Sequence, residues 1–222
     1  MASRIMHLLL ARELLKTREF AQPEAFLFGS LLPDAPRPET AGKGNRASHF
    51  LADRDPLRTY DLEAFRRLYG DRLREEGLYL GYYLHLVQDS VYRRFQHGKW
   101  RWGRLSEEEF HILYRDYSRL NGQFIRRYGL KNTVKLPENG EKEDVCLRFS
   151  LRPGELLEQM EEDFRREEPG EPEEPGFLTW EMAQEFVEEA FQVCQKELSA
   201  LSGGGPLLDP WSLAWNRLER IR

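Results

Sequence analysis

The sequence predicts an all-α fold, and three observations carry that prediction. Apolar residues recur at helical spacing almost throughout the chain. Helix-capping signals stand before several of these runs: Ser3, Ser106 with Glu109 three residues on, and Thr179. One segment, 78–96, is apolar on all sides, the mark of a central buried helix.

The elements follow in order. Ser3 caps a helix over 4–17, with Ile5, Leu8, Leu9, Leu14 and Leu15 as its apolar face. Pro23 suits the first turn of a short helix over 23–31. The Pro/Gly-rich stretch from Pro33 to Ser48 reads as a loop. Helices are expected over 60–75, 78–96 and 107–128, the last stopped by Gly129. Val134, Leu136, Val145, Leu147 and Phe149 suggest an extended segment or short hairpin within 131–152. A helix over 155–166 precedes EEPGEPEEPG (167–176), an acidic Pro/Gly-rich loop expected to be solvated and to carry no chemistry. Thr179 caps a helix over 180–201, and residues 202–206 read as a flexible break. Asp209 and Pro210 then open a last helix carrying Trp211 and Trp215. The chain reads as a single helical domain over 1–222, with seven or eight helices and no internal repeat.

Composition bounds the function. Two distant cysteines, Cys146 and Cys194, exclude a cysteine zinc site and a disulfide scaffold. A net charge of −5 argues against a general electrostatic grip on nucleic acid. A hydrophobic fraction of 40% is too rich for a disordered chain. Neither a secretory signal nor a transmembrane run is visible, so the expected location is the cytoplasm.

The chemistry concentrates in few residues. His85 and Asp89 stand four apart on the apolar helix, so they share a face with Cβ atoms about 5–6 Å apart. A buried carboxylate needs a partner or a cation, so the pair is either a structural hydrogen bond or part of a metal site. His7 in the first helix, Asp34 after Pro33 and His49 after the loop each have ordinary structural uses. Together with His85 and Asp89 they make three imidazoles and two carboxylates, a donor set that suits zinc.

The segments SRIMH, FGSLLPDA, SHF and GYYLHLVQD, in this order over residues 3–89, resemble the zinc-dependent phospholipase C family, which is related to zinc nucleases acting on single-stranded nucleic acid. The resemblance implies an all-helical bundle and a zinc cluster. It assigns Asp34, His49, His85 and Asp89 to one zinc. Asp89 then bridges to a second, held also by His7 and by the terminal amine, which removal of Met1 would leave on Ala2. The chain departs from the family at the third zinc. His97 falls two residues beyond the family spacing, and His111 is followed four residues on by Arg115 rather than a carboxylate. Asp116 is the remaining candidate there, as a ligand or as a group orienting one.

The resemblance implies a phospholipase-C-like hydrolase of phosphate esters, in which a bridged zinc pair activates water and Asp34 orients or deprotonates it. The substrate is then a phospholipid head group or another phosphodiester, with nucleic acid less favoured on charge. Arg93, Arg94 and Lys99 are candidates for attracting it, and Trp100 and Trp102 read as packing aromatics. The rival expectations are a metal-binding scaffold without strong catalysis and a single-strand nuclease.

Overall fold

The computed structural model describes residues 1–38, 46–165 and 176–219. The chain is mostly helical. Eight helices lie among the described residues: α1 (Arg4–Leu15), α2 (Pro23–Gly29), α3 (Leu62–Glu75), α4 (Gly77–Arg94), α5 (Glu107–Tyr128), α6 (Asp144–Phe149), α7 (Pro153–Arg165) and α8 (Trp180–Leu201). A three-stranded antiparallel sheet joins them: β1 (Leu51–Arg54), β2 (Leu57–Tyr60) and β3 (Trp215–Asn216), in that order.

The capping signals act as the sequence suggests. Ser3, Ser106 and Thr179 each accept a backbone N–H of the first turn, and Ser106 with Glu109 forms the reciprocal box. Gly129 ends α5 in the left-handed region, at φ 57°, where a side chain would be strained.

Helix α4 is the axis of the molecule. Its residues from Gly81 to Tyr92 are buried without interruption, and α2, α3 and α8 pack around it. Glycine permits the closest of these crossings. A Cβ on Gly29 would stand 2.0 Å from the Leu78 carbonyl oxygen, and one on Gly81 would stand 2.2 Å from that of Phe26. Backbone therefore meets backbone where α2 crosses α4, and the end of α2 is pressed against the face that carries His85.

The structure corrects three expectations. Residues 131–152 are not a hairpin: the stretch ends in helix α6, with a short 3₁₀ turn over Gly140–Lys142. The alternation of Val145, Leu147 and Phe149 was misleading because Leu147 is 68% exposed, while Val145 is buried and Phe149, four residues on, packs against the core. Period 3.6 therefore describes the stretch better than period 2. The last helix is only a 3₁₀ turn, Pro210–Leu213, after which the chain extends as β3. Pairing of Trp215 with Arg58 and of Asn216 with Leu57 supplies hydrogen bonds that outweigh local helix preference. The β1–β2 hairpin itself lies where no strand was expected; it hands Tyr60, buried, to the centre. Of the expected acidic loop over 167–176, residues 167–175 lie outside the described residues.

Candidate metal centre

Five side chains from four parts of the chain converge beside α4. His7 comes from the middle of α1, Asp34 from the 3₁₀ turn Leu32–Asp34 after α2, His49 from the turn before β1, and His85 and Asp89 from α4 itself. His7, His49, His85 and Asp89 are fully buried, and Asp34 keeps 11% of its side chain exposed.

The two oxygens of Asp89 face different partners. Oδ1 lies 3.5 Å from His7 Nε2 and accepts the Ala2 backbone N–H at 3.1 Å. Oδ2 lies 3.5 Å from His49 Nε2 and 3.6 Å from His85 Nε2. Asp34 Oδ1 closes the second group, 3.3 Å from His49 Nε2 and 3.9 Å from His85 Nε2. Ligands bonded tetrahedrally to zinc at about 2.0–2.1 Å stand roughly 3.3 Å from one another, which is the spacing seen.

Each imidazole is turned by its far nitrogen. His85 Nδ1 donates to the Ser30 carbonyl at 2.9 Å, and His7 Nδ1 donates to Gln88 Oε1 at 2.6 Å. These bonds place the proton on Nδ1 and leave Nε2 with its lone pair directed inward. Such a tautomer lock is the usual outer support of a metal-ligating histidine. His49 Nδ1 lies 3.2 Å from the Ser48 hydroxyl, whose residue is anchored by Tyr82 donating to the Ser48 carbonyl at 2.6 Å.

The result is a knot of acceptors without enough donors. Among the described residues, His7 Nε2, Asp34 Oδ1 and Asp89 Oδ2 are buried with no hydrogen-bond partner, although uncompensated buried acceptors are costly. A cation would satisfy them, and two overlapping groups could hold one: His7, His85 and Asp89, and Asp34, His49 and His85. The residues present therefore fit a metal.

Electrostatics agree with the geometry. Burial and then the charge on His7 hold the His85 pKa down to about 3, so its imidazole is neutral at pH 7. Burial opposes ionisation of Asp34, but the neighbouring histidines, His85 first, bring its pKa down to about 2. For Asp89 burial is likewise the largest influence, and the nearby His7 and other positive charge overcome it to lower its pKa. For His7, burial is the largest influence, but the Asp89 carboxylate 3.5 Å away outweighs it, and its pKa rises. The Met1 amine lies close by: burial and the Arg93 charge lower its pKa to about 5, against the pull of Asp89 and Asp34.

A cavity of about 410 Å³ opens onto this cluster, with Ala2, Asp34, Arg93 and Tyr117 among its walls. Arg93, one turn beyond Asp89 on α4, is held by Tyr60 and Gln96. Of the basic residues expected to attract substrate, only Arg93 faces the site. Arg94 and Lys99 pair instead with Glu189 and Glu185 on α8. Trp100 and Trp102 stack on each other, against Phe95 and Phe177 respectively, as packing aromatics.

Asp116 does not join the described metal groups. Its buried carboxylate accepts the backbone N–H groups of Gly176, Phe177 and Leu178 and lies 3.5 Å from Arg119, so it anchors the chain entering α8. His111 is exposed, and His97 stacks on Trp215. Sequence reasoning missed Gln88, Ser30 and Tyr60. Of these, Gln88 left a signal, since an amide inside an all-round apolar helix must find a buried partner.

No family model, curated protein or solved structure matches the chain.

Proposed function

We propose that this chain is a zinc-dependent hydrolase of phosphate esters, with a phospholipase-C-like use of a bridged metal pair. The observation that carries the reading is the division of Asp89, whose Oδ1 faces His7 and whose Oδ2 faces His49 and His85, beside a cavity walled by Arg93. His7 and Asp89 would hold one ion, with the Met1 amine close by. Asp34, His49, His85 and Asp89 hold the other.

When bound, a zinc pair supplies Lewis acidity, lowers the pKa of water towards neutral and offsets charge developing on the phosphoryl oxygens. The protein's own groups do the rest. Asp34 is ionised at neutral pH and is the one cluster carboxylate with solvent exposure, so its oxygen accepts a hydrogen bond from the attacking water and orients it. The Arg93 guanidinium meets the anionic ester at the cavity wall. Buried Asp89 and the locked imidazoles hold their places without reorganisation.

The test is hydrolysis by zinc-loaded protein of a panel: bis(p-nitrophenyl) phosphate, a phosphate monoester, phosphatidylcholine and single-stranded DNA. Turnover of a diester is expected, with a loss of about 100-fold or more in kcat for Asp34→Asn. Full metal content with no turnover on any member would replace this reading with a metal-binding scaffold. Turnover of single-stranded DNA alone would make the protein a nuclease.

A further inference from the structure

A second cavity, of about 430 Å³, adjoins the first, and Arg93 and Phe110 line both. Its walls include Arg58, Arg93, Arg104, Arg217, His97 and Trp215, and none of the described residues that line it is a carboxylate. Four guanidinium groups around one cavity run against a chain of net charge −5.

The fold gathers them from separate segments. The β2–β3 register sets Arg58 opposite Trp215. Arg217 follows, its backbone N–H bound to the Pro56 carbonyl, and the Arg104 N–H binds the Glu219 carbonyl. Trp215 forms a buried wall against His97 and Arg93. Arg58 and Arg217 each meet one carboxylate, Asp53 and Asp55 respectively. Asp55 is 74% exposed, and a pair of this kind is weak enough to be exchanged for a better anion, whereas Arg58 is held by a two-pronged bond to Asp53. Arg93 and Arg104 make no ion pair among the described residues; Arg93 is held only by the neutral groups of Tyr60 and Gln96. His97 Nδ1 and Arg217 Nε are buried there with no hydrogen-bond partner among the described residues. The remaining donors of Arg104 and Arg217 at the cavity match a phosphate, which accepts two parallel N–H bonds from a guanidinium fork.

We infer that this arginine pocket is an anion subsite, and that the substrate is a phosphate ester carrying a second phosphate group, with the scissile group at the metal centre and the other at Arg104 and Arg217. The assignment of the scissile group rests on the hydrolase reading; the anion subsite does not. The pocket disfavours a choline head group, since the charges of four arginines repel a quaternary ammonium.

The test is calorimetric titration of the full-length zinc-loaded protein with hexanediol bisphosphate and with hexyl phosphate. The bisphosphate is expected to bind about 10-fold more tightly or better. In R104A/R217A the ratio is expected to fall to within about twofold, with a cooperative melting transition retained. Equal affinities in the wild type, or an undiminished ratio in R104A/R217A, would overturn the subsite. Failure of the hydrolase panel with the ratio intact would remove the hydrolase reading and leave the anion pocket standing.

Discussion

Asp89→Ala is expected to strip the protein of most of its zinc, lowering affinity by at least about 100-fold, the upper range for losing a mere supporting group around a metal. Each oxygen of Asp89 serves a different group of ligands, so one truncation damages both. Asp34→Ala removes a ligand from one group only and should cost about half of the metal. Gln88→Ala leaves every ligand in place but frees the His7 ring, and roughly a 10-fold loss at one ion is expected. Equilibrium dialysis against zinc, read by elemental analysis, ranks the three variants. Full occupancy in Asp89→Ala would sink the bridging role.

Chelation should produce the largest change in stability. The ligands tie α1, the turn after α2, the turn before β1 and α4 together, so ions bound only by the native state stabilise it by mass action. Saturation at 1,000 times the dissociation constant contributes about 4 kcal/mol per ion. For a chain of this size, losing that amount lowers the melting temperature by roughly 8–16 °C. The gap between zinc-loaded and chelated protein should shrink as pH falls from about 8 to about 5, because protons and metal compete for imidazole. His7, with its raised pKa, takes its proton first.

The chelated protein has its own pH dependence. Its His85 refuses a proton until about pH 3, whereas the unfolded chain accepts one near 6.5. Stability of the metal-free form from this residue therefore declines as pH falls through 6.5 towards 3. His7 works in the opposite sense: its raised pKa stabilises the metal-free fold at low pH, and that contribution is lost as pH rises through its folded value. Asp34 contributes above its ordinary value of 3.8 and is lost as pH falls through about 2. Melting curves across this range, with and without chelator, separate the three. A gap that is absent, or constant with pH, would argue against a buried histidine cluster.

Much of this was legible in the sequence because the signals were local. Helical period, the Ser3, Ser106 and Thr179 caps and the Gly129 stop act within a turn or two, and α1, α5 and α8 follow them. The i,i+4 spacing of His85 and Asp89 is local too, and the helix brings both into one cluster. What escaped was set by distant partners. Trp215 extends because β2 offers it an edge, and no property of residues 209–219 alone announces that. The 51–60 hairpin is short and mixed in polarity, so its alternation is weak. By sequence Asp116 is a candidate for the metal site, yet three N–H groups about sixty residues on claim it. The arginine pocket is scattered over β2, α4 and the segments around 104 and 217, so only the folded chain reveals it.

The central claim is that the inward-facing acceptors exist to hold metal. Elemental analysis of protein purified without added metal, with no chelating affinity step, tests it most directly. Close to two zinc equivalents per chain are expected, released together with the stability they confer when chelator is added. Protein that emerges metal-free, takes up no zinc on dialysis and melts at the same temperature in excess chelator would contradict it.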